Sequence, residues 1–312
     1  MNVLITGSSG YIGSVLAKRM REVNIKLFGC DNNLNGLYPS DTFIRHFRIS
    51  FDDPFVIHHI LQYKIHVIVH LAATSTVGPD ATNPLDYYEN NAARTMAFVK
   101  RLKDAGWQGQ LVFASTAAVY GASDEPVTEE SRVEPLNVYG QSKLMCEQVL
   151  NNCWRHGINV TSFRFFNVAG AYNGFGEEKE DTHLISRICS SVLSGQELTV
   201  FGDEYPTRDG TCVRDYVHVC DICDAIMFAI NYEVHGTYNL GTKRGSSVKE
   251  IIEQFEMHTG QKVKWSVGPK RPGDQPFLVA DPGKYERMSG FRYTYSLRDI
   301  INSSWEHFKN GI

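Results

Sequence analysis

Val3-Leu4-Ile5-Thr6-Gly7-Ser8-Ser9-Gly10-Tyr11-Ile12-Gly13 opens the chain with a short apolar run that passes directly into three glycines spaced three apart. Val15, Leu16, Ala17 and Met20 follow at helical steps, so the stretch reads as strand, tight turn and helix. Glycines at Gly7, Gly10 and Gly13 permit a sharp turn, close backbone approach to a pyrophosphate and close contact between helix and strand. The helix N-terminus then attracts the anion. Taken alone, a GxxGxxG turn fits a plain strand-to-helix connection equally well. The next apolar run, Ile25 to Cys30, ends at Asp31, where a carboxylate can accept hydrogen bonds from both hydroxyls of an adenine ribose and repel a 2′-phosphate. The pair therefore points to a dinucleotide, and to NAD over NADP. A turn role for Asp31 before Asn32 and Asn33 is the weaker account.

Working outward, the alternation continues. Val67 to Leu71, Leu111 to Ala114 and Val160 to Phe165 are apolar runs that read as strands buried on both faces. Pro84 to Asp104 carries Leu85, Tyr88, Ala92, Met96, Val99 and Leu102 at steps of three or four, one apolar helix face. Repeated β-α order predicts an α/β fold with a doubly wound parallel sheet and helices on both sides. After about residue 168, Gly170 to Asp181 and Gly202 to Thr211 are rich in Gly, Glu, Asp and Pro and read as long loops, suggesting a smaller region over the carboxyl ends of the strands. Val213 to Val219 and Thr237 to Leu240 read as strands able to return to the first sheet. The expected division is 1–168 with about 212–240 as a nucleotide-binding part, and about 169–211 with 241–312 as a substrate-binding part.

Composition agrees with a soluble globular protein large enough for one big α/β domain or two domains: 312 residues, 42% hydrophobic and 21% charged. With 31 Lys plus Arg against 35 Asp plus Glu, the net charge of -4 argues against a nucleic-acid binder held by a broad basic face. Seven scattered cysteines do not form the paired framework of a secreted domain, and a reducing cytoplasm is expected. No secretion leader or membrane span is readable.

Tyr139-Gly140-Gln141-Ser142-Lys143 begins a helix expected to run to about Arg155, and a spacing of four places phenol and ammonium on one face. A nearby Lys⁺ favours phenolate and is expected to lower the tyrosine pKa toward working pH. The motif follows the strand Leu111 to Ala114 and its tip Ser115-Thr116, whose hydroxyls would project where a substrate carbonyl or alcohol could sit. Hydroxyls at that tip also fit simple backbone satisfaction of a turn.

This combination resembles the extended short-chain dehydrogenase/reductase family, and within it the nucleotide-sugar epimerases, nearly end to end. The resemblance rests on Gly7 to Gly13, Asp31-Asn32-Asn33, His70-Leu71-Ala72-Ala73, Tyr87 to Asn91, Ser115 to Gly121, Tyr139 to Lys143, Phe163 to Ala171, Thr182 to Ile185 and Asp209 to Val219. It implies a Rossmann-type fold, NAD as cofactor, and C4 epimerisation of UDP-glucose and UDP-galactose through a transient 4-keto sugar. It makes Tyr139 the acid/base, Thr116 the hydroxyl partner of the reacting oxygen, and Lys143 a ribose ligand that tunes Tyr139. Gly7, Gly10, Tyr11, Ile12, Gly13, Asp31, Asn32, Ser50, Phe51, Leu71, Ala72, Ala73, Asn90, Ser115, Tyr139, Lys143 and Phe166 would face the cofactor. Ser75, Thr116, Asn167, His183, Leu184, Val200, Phe201, Arg214, Tyr216, Arg271, Asp274 and Leu278 would face the nucleotide sugar. Arg214 and Arg271 suit its diphosphate, since a planar guanidinium donates to two oxygens at once.

Some positions depart from the family pattern. Ser50 stands where many relatives carry an acidic residue near the adenine, and Ser75 replaces a frequent lysine. A 4,6-dehydratase of the same fold would need an Asp-Glu pair after the threonine, where this chain has Ala117-Ala118. A net dehydrogenase, another epimerase of the family and a non-catalytic NAD-binding protein are the remaining alternatives. The resemblance also implies a homodimer built from the helices around Pro84 to Asp104 and Asn137 to Arg155. Leu278 falls at a gate where a smaller residue leaves space for a 2-acetamido group, unless Phe277 fills it through a register shift. Cys220 and Cys223 resemble half a zinc site but read better as core, and His58, His59 and His183 lack companions of metal spacing, so no metal is expected.

Overall fold

Five of the expected apolar runs become neighbouring strands of one parallel sheet. A computed structural model of the chain describes residues 1–33, 42–75, 83–177, 183–271 and 273–311. The large sheet contains β1 (Asn2–Thr6), β2 (Lys26–Cys30), β3 (Arg45–Phe47), β4 (Val67–His70), β5 (Gly109–Thr116), β6 (Ile158–Phe165) and β10 (Gly236–Leu240), in the order β10-β6-β5-β4-β1-β2-β3. Every pair is parallel. Strand order reverses between β1 and β4, the switch point at which open α/β sheets leave a crevice beyond the strand ends.

Both faces of the sheet are covered. On one lie α1 (Tyr11–Glu22) and α7 (Val219–Asn231), packing Val15, Leu16, Met20, Ile222 and Ile226 against Val3, Ile5 and Val69. On the other lie α2 (Pro54–Gln62), α4 (Arg94–Asp104) and α5 (Val138–Leu150), with Val56, Ile60, Phe98, Leu102 and Leu150 against Leu4, Ile68 and Leu111. The expected helix over Pro84 to Asp104 is continuous but not uniform. It starts as α3 (Pro84–Tyr87), widens to a π-helical turn over Tyr88–Ala93, and resumes as α4. Such turns insert one extra residue and often mark functional sites. The helix from Tyr139 ends earlier than expected, at Leu150, and a separate 3₁₀ turn covers Cys153–His156.

Two small sheets sit beyond the strand ends. β9 (Val213–His218) pairs with β7 (Asn167–Ala169), β11 (Gly245–Ser247) and β13 (Phe277–Leu278). β8 (Leu198–Phe201) pairs with β12 (Trp265–Gly268). They pack with α6 (Leu184–Ser194), α8 (Val248–Thr259) and α10 (Leu297–Lys309) around Ile188, Ile251, Phe255, Ile301 and Trp305. The helix α9 (Gly283–Ser289) packs Tyr285 back onto the large core. Thr237 to Leu240 therefore joins the large sheet as expected, whereas Val213 to His218 does not. Periodicity marks a strand without naming its neighbour, and this strand's partners come from β7, β11 and β13. Cys220 and Cys223 are fully buried in the α7 core, and all seven cysteines are free and buried. Among the described residues no helix is long and apolar enough to cross a membrane. Thr182, Pro272 and the end of the Gly170 to Asp181 loop lie outside the described residues.

Asp215 ties the two regions together. Its fully buried carboxylate accepts hydrogen bonds from Thr242 N at 2.8 Å, Thr242 Oγ1 at 2.7 Å, Lys243 N at 2.9 Å and Ala280 N at 3.2 Å. The segments leaving β10 and β13 are thus pinned to β9. Asp215→Ala should lower stability by about 3 kcal/mol, because it strands several buried N–H donors. Urea denaturation measures this, and a loss below about 0.5 kcal/mol would contradict the role given to Asp215.

Candidate active site

Close packing at two glycines sets the site. A Cβ on Gly13 would lie 2.1 Å from Gly7 O, so only glycine lets α1 begin this near to the end of β1. A Cβ on Gly140 would lie 2.1 Å from Ala118 O, so α5 can press its first turn onto the loop leaving β5. Asn137 caps that turn by accepting from Gly140 N at 2.8 Å. The result places Tyr139 beside Thr116 on the wall of one cavity, near enough for the hydroxyl to act on the phenol's pKa.

A cavity of about 810 Å³ runs from the glycine turn to the small sheets. Every residue assigned above to cofactor or substrate lines it, from Gly7, Asp31 and Asn90 at one end to His183, Phe201, Arg214, Arg271 and Leu278 at the other. Thr116, Tyr139 and Lys143 lie on the wall between. Leu278 lines the cavity and Phe277 is not among its lining residues.

The glycine end fits a dinucleotide. α1 starts at Gly10 with no side-chain cap, which leaves its first turn to meet an anion. Asp31 is held at the strand tip by Ser9 N, which donates to Oδ2, and Asn33 N, which donates to Oδ1, each at 2.8 Å. Each carboxylate oxygen keeps a lone pair for a ribose hydroxyl. The Ser50 hydroxyl donates to Asp52 at 2.5 Å and retains acceptor capacity toward the cavity.

At the centre, Lys143 is almost fully buried, and its Nζ donates to Ala114 O at 2.7 Å over the Phe113 ring. Burial brings its pKa down to about 8, with Cys146 and Glu147 acting the other way. Burial pushes the Tyr139 phenol up to about 12, and only the Thr116 hydrogen bond opposes it. The expected pull of Lys143 on the phenol is absent in the protein alone. Desolvation of the phenol dominates, and the ammonium is turned toward the end of β5.

Several residues that build the site were not foreseen. Glu147, 2% exposed, accepts from Arg164 Nε at 3.0 Å and Nη2 at 2.7 Å and also from the Ser115 hydroxyl. Arg164 Nη1 donates to Tyr120 Oη at 2.8 Å, and that phenol donates to Asn239 Oδ1 at 2.6 Å. A charged residue inside the apolar run Val160 to Phe165, and a glutamate one turn after Lys143, were the available signals. Asn91, in the π-helical turn, accepts from Thr74 N at 2.8 Å and donates to Thr74 O at 2.9 Å and Ser142 Oγ at 3.1 Å, joining the loop after β4 to α5. At the far end Arg214 donates to Gln275 O at 2.7 Å and lies 3.5 Å from Asp274. Arg187 also lines the cavity there. Among the described residues no group of His, Cys, Asp and Glu could hold a metal ion.

Comparison with known proteins places this geometry. Residues 3–241 match the NAD dependent epimerase/dehydratase family. A UDP-glucose 4-epimerase from Lactobacillus helveticus is 36% identical across 99% of this chain and 98% of its own. The structure of a UDP-glucose 4-epimerase from Stenotrophomonas maltophila, with bound NAD and formylated UDP-arabinopyranose, superposes with a TM-score of 0.92 at 31% identity, covering 100% of this chain and 98% of that one. That of Brucella ovis UDP-glucose 4-epimerase in complex with NAD gives 0.90 at 32%, covering 98% of both chains. A match over three quarters of the chain, with relatives that agree nearly end to end, establishes that it belongs to the NAD dependent epimerase/dehydratase family.

Proposed function

We propose that the chain interconverts UDP-glucose and UDP-galactose by NAD-dependent epimerisation at C4. The observation that carries this reading is one continuous cavity with a dinucleotide cradle at one end, guanidiniums at the other, and Thr116, Tyr139 and Lys143 between them. The relatives named above, with their NAD complexes, support it. When bound, NAD supplies a hydride acceptor that gives the hydride back within the cycle and, in its oxidised form, a positive charge that favours the Tyr139 phenolate.

Tyr139 takes the proton of the sugar 4-hydroxyl and later returns it, with a 4-keto sugar between the two transfers. Thr116 holds the reacting oxygen beside Tyr139. Lys143 adds donors at the ribose end, while its anchor on Ala114 O fixes the stem. Because the hexose must turn over before the proton returns, the chain has to bind the nucleotide tightly and the hexose loosely. Arg214 and Arg271 serve the first need, and Asn167, Leu184, Val200 and Tyr216 surround the nucleotide sugar with them. Residues 1–168 with about 212–240 would carry the cofactor and the remainder the substrate, except that β9 itself lies in the small sheet.

Oligomerisation belongs to the same proposal. Leu85 at 67% and Trp154 at 54% exposure, with Val149, leave apolar side chains uncovered along the helices expected at a homodimer interface. Light scattering should give twice 35.2 kDa, and a monomer at micromolar concentration would remove the four-helix interface.

Incubation with UDP-galactose should yield UDP-glucose without stoichiometric NADH, and Tyr139→Phe should lower turnover by about 10² or more while UDP binding survives. Steady NADH accumulation with a keto-sugar product would make the chain a net dehydrogenase; an active Tyr139→Phe would displace the acid/base. The gate yields a second test. Leu278, smaller than an aromatic residue and paired with Arg214 across β13 and β9, should admit N-acetylated UDP-hexosamines at least in part. Leu278→Tyr is then expected to reduce kcat/KM on UDP-N-acetylglucosamine more than on UDP-glucose, as measured by NMR of products. Equal losses on both, or no wild-type activity on the N-acetylated sugar, would refute it.

A further inference from the structure

Phe201, at the end of β8, has a guanidinium over each of two approaches to its ring. Arg271 lies 3.8 Å from the ring centroid and Arg187 5.0 Å. Arg187 projects from the first turns of α6 and Arg271 from the segment leading to β13, so the aromatic ring holds together two cations from separate elements. Both line the cavity. Among the described residues neither forms an ion pair. Arg187 donates to Thr199 O at 3.1 Å, and Arg271 has a buried Nε without a hydrogen-bond partner. By contrast, Arg214 nearby faces Asp274.

Two like charges brought this close and partly buried repel one another, and Arg271 indeed lowers the pKa of Arg187, after burial as the larger cause. A protein holds such a pair only at a cost that an anion in the cavity would offset. The π face of Phe201 reduces the cost without cancelling the charge. The N-terminal dipole of α6 adds to the same positive potential. A ligand carrying at least two negative charges, delocalised over several oxygens, is the chemistry that answers two planar guanidiniums.

We propose that Arg187 is a nucleotide-recognition residue that acts with Arg271 across Phe201 to hold the diphosphate of the substrate. This rests on the reading of the cavity as a nucleotide-sugar site and adds to it a residue outside the motifs that led there. The clamp makes the chain select nucleoside diphosphates by charge, at a place remote from Tyr139, so its contribution is to binding and not to the proton transfers.

Calorimetry on the full chain with UDP, UMP and uridine tests it independently of turnover. Arg187→Gln should weaken UDP about tenfold or more, the scale of a hydrogen bond to a charged group, and leave uridine within about twofold. Arg187→Lys, which keeps the charge, should recover most of the UDP affinity. In steady state Arg187→Gln should raise KM for UDP-galactose with kcat within about twofold, and unliganded Arg187→Gln should unfold thermally no lower than the wild type, since it removes the repulsion. Unchanged UDP affinity in Arg187→Gln would overturn the proposal. So would equal losses for UDP and uridine, which would assign Arg187 to the base, or a lysine variant no better than glutamine. Failure of the wild type to bind UDP at all would instead overturn the nucleotide-sugar reading of the cavity.

Discussion

The buried pairing of Glu147 with Arg164 is the constraint around which the catalytic wall is arranged. It joins α5 to β6, and through the Ser115 hydroxyl it also reaches the tip of β5. Tyr120 and Asn239 extend it to the loop after β5 and to β10. Removing one member of such a pair leaves an uncompensated buried charge and typically costs about 3–5 kcal/mol. A well-packed apolar substitute would hold the helix against the sheet just as firmly. It would not fix the rotation of α5 that sets Tyr139 and Lys143 against Thr116. Gln275 Nε2 donates to Tyr120 O at 2.9 Å while Gln275 O accepts from Arg214, so the same polar lattice reaches the arginine end of the cavity.

Much of this was legible in the chain because double burial leaves a plain trace. β1, β2, β4, β5 and β6 each carry apolar residues and are buried at almost every position, and a parallel sheet covered on both sides accounts for so many of them separated by helices. The glycine turn and the Tyr139-Lys143 spacing were legible for a similar reason, since each is a local constraint written within a few residues. What sequence concealed was pairing across distance. β9 carries the same apolar signature as a central strand, yet it lies in the small sheet, because register and partner are decided by β7 and β13, more than forty residues away on either side. Arg187 looks like any surface arginine until Phe201 and Arg271 are brought to it.

The catalytic pair illustrates how burial can reverse a local inference. A lysine one turn from a tyrosine suggests an acidified phenol, and in water the Coulomb term would act that way. Inside the cavity both groups are desolvated, and each shifts toward its neutral form: the phenol to about 12, the ammonium to about 8. The protein alone thus keeps Tyr139 protonated. In the proposed role of Tyr139, activation would be left to charge that arrives with the ligands, which would restrict a strong base to the moment when a sugar and a hydride acceptor are both present.

Charge is distributed along the cavity to the same end. Asp31 lies at one extremity, Arg187, Arg214 and Arg271 at the other, and the hydroxyls of Thr116 and Tyr139 lie on the wall between them, where the proposed function would seat the hexose. Strong, directional contacts at both ends and weak ones in the middle are what a sugar needs if it is to turn over without leaving. Binding energy placed on the hexose itself would stabilise one face and slow the return of the proton on the other. Under the proposed role of Arg187, a third guanidinium at the far end would serve turnover indirectly: by holding the diphosphate through charge, it would allow the hexose pocket to remain loose.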